Sequence, residues 1–296
     1  MIKVQYKDLA EAIGLNKQQL DNYIKFSDRH YQSFYIEKRN RIKRRYINSP
    51  SPKMKALQRW VLENLLYKIE VHECAQGFIK GHGIKSNAEF HQNKKYILCV
   101  DIYNFFPSIT KQHVYQSLIK NMNDPELANK LAKICTYKNR LPQGAPSSPY
   151  LSNIVFIPVD EEIQKYCEGN LIAYSRYADD LSFSTNTKES LLELEEIVKQ
   201  ILLKYGFSLN FKKTRLYTGK NRMSVTGLAM NSGRPSLGKR RKREIKAKLF
   251  YRLVKDDKSI TNEQINGYLS YVKDVEVEFY YFLLNYVNKL HQLKQI

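Results

Sequence analysis

An α+β fold, with a sheet in the middle of the chain and helices at both ends, is predicted by three observations. Short apolar runs around residues 96–102, 171–177 and 181–185 have the length of buried strands. Stretches with apolar residues at three- and four-residue spacing flank them. No repeat, low-complexity tract or long Gly/Ser linker separates these parts, so any subdomains are joined tightly. With 296 residues, 43% hydrophobic and 26% charged, the chain can bury a core in one large domain or in two to three subdomains.

In chain order, residues 7–25 predict a short helix, a turn at Gly14 and a second helix, with Leu9, Ile13, Leu20 and Ile24 apolar. The pair reads as an N-terminal cap more readily than as a DNA-reading helix-turn-helix. Six of the eight residues from Lys38 to Arg45 are basic, and Pro50 and Pro52 then lead into a helical pattern from Met54 to Val71. Tyr96 to Ile102 is the first buried strand and carries Asp101 at its end. Helices follow at about 110–122 and 125–135, the second with Asp124 as N-cap and Pro125 at its first position. Leu141 to Pro146 forms a rigid loop before a helix from Ser148 to about Glu168. Leu171 to Tyr177 and Leu181 to Thr185 alternate as a hairpin with Ala178-Asp179-Asp180 at its tip. A helical stripe from Leu191 to Tyr205 stops at Gly206, and short strands are expected at 207–211, 214–218 and 223–229. Beyond Gly238 the pattern is helical, with a basic segment from Lys239 to Lys248, a possible capping box at Thr261 and Gln264, and a Tyr-rich helix from about Glu276.

Lys+Arg 49 against Asp+Glu 29 gives a net charge of +20, so the favoured partner is a polyanion. Charge alone does not separate a nucleic acid from an anionic membrane surface. No run approaches the roughly 18 apolar residues of a membrane span, and no signal peptide opens the chain, so a soluble cytoplasmic protein is expected. Cys74, Cys99, Cys135 and Cys167 are scattered without a Cys-x-x-Cys pair and read as reduced core thiols. The 22 Tyr and 13 Phe interleaved with basic residues suit base stacking and sugar packing, although most are expected in the core.

Chemistry concentrates at Asp101 and the pair Asp179-Asp180. A carboxylate pair in a turn is ordinarily solvated, but this one lies between two apolar strands, where it is costly unless it binds cations. Hard oxygen ligands from neighbouring strands suit two Mg²⁺ ions about 4 Å apart, the clamp that phosphoryl transfer to a growing chain requires.

These residues stand in boxes that resemble those of reverse transcriptases, specifically the bacterial retron type. Tyr177-Ala178-Asp179-Asp180 matches the Tyr-x-Asp-Asp box, Val100 to Ile109 the box of the first catalytic aspartate, and Leu141 to Asn153 the template- and nucleotide-positioning box; Gly206 to Thr214 resembles the box after the palm helix. Four boxes in the family's order are a specific signal, whereas one would be weak. Asn87-Ala88-Glu89-Phe90-His91 and Val225-Thr226-Gly227 resemble two retron signatures.

The resemblance implies a right-hand polymerase with N-terminal helices and fingers at 1–95, a palm at 96–232 with a fingers insertion at about 119–145, and a helical thumb at 233–296. It implies that Asp101, Asp179 and Asp180 bind two Mg²⁺ ions with help from the Ile102 carbonyl. Phe106 corresponds to the aromatic gate against a 2′-hydroxyl, its alternative being core packing, a role that Phe105 fills better if the strand alternates. Gln143 and Gly144 would pack beside the incoming dNTP, Arg45 would contact its triphosphate with Lys43 and Arg44 as competitors, and Lys212 or Lys213 would approach the pyrophosphate. Asn87 and His91 are expected to shape the surface that holds RNA, His91 as a structural histidine. Lys239, Arg240, Arg241, Lys242 and Arg243 are expected on an RNA stem or duplex, with Glu244 the single opposing charge of the run.

The implied activity is RNA-directed DNA synthesis on a cognate structured noncoding RNA, primed from a guanosine 2′-hydroxyl. Its product would be a branched, RNA-linked multicopy single-stranded DNA, made within an anti-phage defence system. The thumb consumes everything after about 232, so the effector is expected on a separate chain. Three alternatives stay open: another bacterial reverse transcriptase of abortive-infection or intron type, a non-catalytic RNA/DNA scaffold for an effector, and RNA-dependent RNA synthesis, which Phe106 disfavours.

Overall fold

The computed structural model describes residues 5–37, 44–219 and 222–293. Two short helices, α1 (Tyr6–Glu11) and α2 (Lys17–Lys25), open the chain, with Gly14 at φ 67° in the turn between them. An antiparallel hairpin follows, β1 (Tyr31–Glu37) paired with β2 (Arg44–Pro50). The sequence pattern shows only a basic run there. Of that run, Arg44 and Arg45 lie on β2, and Lys43 falls outside the described residues.

The central sheet has the order β4-β5-β3-β6, all pairs antiparallel: β3 (Tyr96–Asp101), β4 (Ala173–Tyr177), β5 (Asp180–Thr185) and β6 (Arg215–Tyr217). Alternation along each strand divides its side chains between two cores. Leu98, Val100, Leu181 and Phe183 face a large core built with helices α6 (Lys111–Met122), α7 (Pro125–Cys135), α8 (Ser148–Gly169) and α9 (Glu189–Lys204). Ile97 and the partly buried Cys99 face a second core. That core contains Ala88 of α4 (Ile84–Glu89), the hairpin β7 (Ser224–Val225) with β8 (Leu228–Ala229), and helices α10 (Gly238–Leu253), α11 (Asn262–Val275) and α12 (Val277–Leu293). A sheet covered on both faces reads as continuous apolar runs, which is why its strands stand out in the sequence.

Local signals hold where a side chain caps a helix. Asp124 Oδ1 accepts from Leu127 N–H at 2.9 Å to start α7, and Thr261 and Gln264 form the reciprocal box that starts α11. The helix predicted at 54–71 is shorter: α3 (Pro52–Asn64) gives way to a 3₁₀ turn at Leu66–Lys68. Asn64 turns its amide back onto the Trp60 carbonyl at 3.0 Å, a bond that competes with the helix ladder. The strand expected at 207–211 is reduced to one bridge between Ile102 and Leu209, because the chain enters a 3₁₀ turn at Phe211–Lys213.

Candidate active site

The three carboxylates meet because β3 and β5 pair in a register that sets Asp101 directly opposite Asp180. Residues so paired project to the same face of the sheet. The turn Ala178-Asp179 joins β4 to β5 with Tyr177 opposite Asp180, and Ala178 takes φ 58°, the left-handed value that such tight hairpin turns use. The tip is fixed to β3 by Ile102, whose N–H donates to the Asp179 carbonyl at 2.9 Å. In an extended strand the N–H and C=O of one residue share a side, so the Ile102 carbonyl looks toward the hairpin too.

Asp101 is held from the far side by residues after the sheet. Asn210 Nδ2 donates to its Oδ1 at 3.0 Å, and Lys213 Nζ lies 2.5 Å from its Oδ2. Burial pulls the Lys213 ammonium down, but its bond to Asp101 and the charges of Asp101, Asp179 and Asp180 outweigh that and hold it above its ordinary value. Burial pushes Asp180 up to about 6, aided by the charges of Asp179 and Asp101 and opposed by Lys213. Although Asp180 is exposed at the mouth, protein atoms crowd its other sides, so it is only partly hydrated. Asp179 is raised in the same way, by burial first and then by Asp101.

Among the described residues no group of three or more His, Cys, Asp or Glu forms a ready metal cage; Asp101 is spent on Lys213 and Asn210. The donor chemistry nevertheless fits a hard divalent cation. Three carboxylates repel one another in a partly dry site, and a single ammonium covers only part of their charge. Beside them a cavity of about 380 Å³ is lined by Cys99, Tyr177, Ser182, Arg215, Tyr217 and Thr226 among others.

The opposite face of the hairpin carries a buried ionic network that sequence reasoning missed. Arg176 Nε and Nη2 clasp both oxygens of Asp160 on α8, at 2.9 and 2.6 Å, with both side chains fully buried. Arg176 Nη1 donates to Asn153 Oδ1 at 2.9 Å and to the Ala178 carbonyl at 3.3 Å, which is the turn itself. Tyr174 donates to Asp160 at 2.8 Å. Asn153 Nδ2 donates to the Gly77 carbonyl at 2.8 Å, and a Cβ at Gly77 would stand 2.8 Å from Ala178 N. Only glycine allows the 74–77 segment to press so closely on the turn.

Asn87 and His91 are buried, at 0% and 1% exposure, so any part they have in shaping a surface is indirect. They tie α4 to the hairpin instead. Ser175 Oγ donates to Asn87 Oδ1 at 2.9 Å, and His91 lies 2.8 Å from both Ser175 Oγ and Ser184 Oγ. The network assigns a neutral imidazole that donates from Nε2 and accepts at Nδ1. Burial, with Lys94 second, pushes His91 down to about 3. The Val225-Thr226-Gly227 signature closes on the same helix, because Thr226 Oγ1 donates to the Ile84 carbonyl at 3.2 Å.

The remaining predicted residues are placed as follows. Phe105 is buried against Phe156 (ring centroids 5.2 Å), whereas Phe106 is only partly buried, since both open the one-turn helix α5 (Phe105–Ser108) and do not continue the strand. The loop at Gln143 and Gly144 docks on β2: Asn48 N–H donates to the Gln143 carbonyl at 2.8 Å, and a Cβ at Gly144 would meet Ile47 at 3.0 Å. Arg45 is exposed on that same strand. Of the two lysines, Lys213 reaches the carboxylates and Lys212 is exposed.

On α10 the basic run divides. Lys239, Arg240 and Arg243 are exposed, with Arg240 pairing Glu244 at 2.9 Å. Arg241 lies over Tyr268 and Tyr271, and Lys242 pairs with Glu276, a second acid that the run itself does not reveal. No helix among the described residues is long and apolar enough to cross a membrane.

Residues 36–244 match the family model described as reverse transcriptase (RNA-dependent DNA polymerase). The chain is 34% identical to the retron Ec86 reverse transcriptase of Escherichia coli, over 96% of this chain and 89% of that one. It is 36% identical to the retron Ec83 reverse transcriptase of the same organism, over 84% of each. Among solved structures the fold resembles apo telomerase from Candida tropicalis, with a TM-score of 0.55 at 15% identity, covering 88% of this chain and 58% of the telomerase chain.

Proposed function

From the premise that this chain belongs to the retron reverse transcriptases and is an RNA-directed DNA polymerase, we propose that it copies part of a cognate structured noncoding RNA into branched, RNA-linked multicopy single-stranded DNA. Synthesis starts from a guanosine 2′-hydroxyl of that RNA, in the cytoplasm, and the product serves anti-phage defence together with an effector on another chain. In this reading the fingers and N-terminal helices span 1–95, the palm 96–232 with its insertion at about 119–145, and the thumb 233–296.

The observation that carries the reading is the pairing of Asp101 with Asp180 beside the Asp179 turn. Asp101, Asp179, Asp180 and the Ile102 carbonyl would hold two Mg²⁺ ions, which when bound supply the positive charge that activates the attacking hydroxyl and offsets the departing pyrophosphate. Lys213, bonded to Asp101, positions that carboxylate and adds positive charge near the leaving group. Gln143 and Gly144 flank the dNTP on a loop braced by β2, which brings Arg45 to the triphosphate side. Phe106 meets the sugar, freed for that by Phe105 taking the core position. Lys239, Arg240 and Arg243 grip RNA or duplex phosphates on the outer side of α10.

The test is to extract the nucleic acid that co-purifies with the protein and treat it separately with RNase and debranching enzyme. A DNA covalently joined to RNA through a 2′,5′ linkage is expected. Copying of generic primer-templates with no RNA-linked DNA would overturn the retron reading and leave a general reverse transcriptase.

A further inference from the structure

A row of four rings leads from the palm core toward solvent. Phe156 packs on Phe105 (5.2 Å between centroids), Phe105 on Phe106 (5.5 Å), and Phe106 on Phe78 (6.0 Å, planes tilted 49°). The outermost ring is anomalous twice over. Phe78 is 40% exposed, so it contributes little to the core. Its backbone sits at φ 65°, a region disfavoured for any residue with a Cβ and a genuine outlier for a bulky one.

The strain is imposed from both sides of the loop. Gln76 N–H donates to the Arg176 carbonyl at 2.8 Å, Asn153 holds the Gly77 carbonyl, and Gly77 is wedged against the Ala178 turn. On the other side Gln76 Oε1 lies 2.8 Å from His82 Nδ1. A strained residue carrying an exposed aromatic ring, clamped next to the Ala178-Asp179 turn, is the pattern from which a functional side chain is inferred.

We propose that Phe78 is a positioning residue for sugar selection, bracing the Phe106 ring so that it cannot swing outward to admit a 2′-hydroxyl. The inference rests on the reading of Phe106 as the ring that meets the sugar. With rings 6.0 Å apart and tilted, the two form one continuous aromatic wall and leave no slot for a sugar between them. Phe78 therefore acts through Phe106 and limits which sugar the site accepts.

The experiment compares single-nucleotide incorporation of dTTP and UTP on poly(rA) primed with oligo(dT), for the wild type, Phe78→Gly, Phe78→Leu and Phe106→Ala, together with thermal unfolding of each. Phe78→Gly removes both ring and strain, so its unfolding midpoint should stay level or rise while relative use of UTP in kcat/KM rises about tenfold. Phe78→Leu, which keeps bulk, should give a smaller rise. If Phe106→Ala relaxes discrimination but Phe78→Gly does not, the bracing role is wrong and the gate reading stands. If Phe106→Ala leaves discrimination unchanged, the gate reading falls and takes this inference with it. A lower midpoint in Phe78→Gly, with equal loss of dTTP and UTP use, would mark Phe78 as merely structural and also overturn the proposal.

Discussion

The two faces of the β4–β5 hairpin carry ionic groups of opposite temperament. On the helix side, Arg176 and Asp160 are fully buried yet fully answered, charge by charge and bond by bond. On the other side, Asp101, Asp179 and Asp180 have three negative charges and one ammonium among them, and burial with mutual repulsion raises two of the three. A satisfied buried pair fixes a shape, whereas an unsatisfied cluster is poised to take up cations. The turn that aims Asp179 and Asp180 is thus held rigid by the first so that the second can stay frustrated.

Neutralising carboxylates on the two faces should therefore have opposite effects on stability. Asp179→Asn with Asp180→Asn should abolish nucleotide incorporation by about a thousandfold or more, the loss of several kcal/mol of transition-state stabilisation. The same double variant should melt at the wild-type temperature or above it in metal-free buffer, as scanning calorimetry would register. Residual polymerisation near the wild-type rate would show that the frustration has no catalytic purpose. Asp160→Ala, by contrast, leaves the Arg176 charge buried without a partner and should cost about 3–5 kcal/mol in chemical denaturation. If its stability is unchanged, the rigid half of the comparison fails.

A third test addresses the strut between the hairpin and α4. His91 is held neutral by burial, to about 3 against an ordinary 6.5, so between those values the unfolded chain binds a proton that the native chain refuses. The stability this lends is present above about pH 6.5 and drains away as pH falls toward 3. At about pH 4.5 the wild type should lose about 2–3 kcal/mol through this residue. His91→Gln should show a correspondingly flatter acid branch, and parallel pH profiles would remove His91 as the cause.

The smallest expected effect lies on α10, where the same division between engaged and free charges recurs. Lys239→Ala with Arg243→Ala should weaken RNA binding a few-fold and lower the slope of log K against log salt by about 0.7–0.9 for each phosphate that is no longer neutralised. Lys242→Ala breaks the pair with Glu276, so it should act on the melting of the C-terminal helices with little change in that slope. Equal slopes for both variants would mean that orientation on the helix does not sort these residues.

The unsatisfied face of the site was readable from sequence because its acids terminate apolar strands and fall in ordered boxes. The satisfied face was not. Arg176 immediately precedes the box that holds Asp179, but its partner is 16 residues upstream on a helix, and nothing local pairs them. The β1–β2 hairpin escaped notice because a dense basic run hides the strand alternation around it. The helix α4 is only six residues long, and its Asn and Ser resemble loop residues. Phe78 had no spacing to betray it, since a single aromatic acquires meaning only when the chain brings Phe106 beside it. Glu276 shows the same limit: charge balance along the sequence made the basic run look almost bare, whereas packing supplies an acid from 34 residues away.

The second core borrows Ile97 from the central sheet and Ala88 from α4, and this lending sets an order of assembly. The large core draws on residues from Leu9 to Leu209, all of which leave the ribosome before the helices α10 to α12. Those last helices have no complete surface to condense on until the sheet exists. During synthesis the residues of the carboxylate site thus emerge before the dense basic segment of α10, and the surface on which that helix packs is already present when it follows.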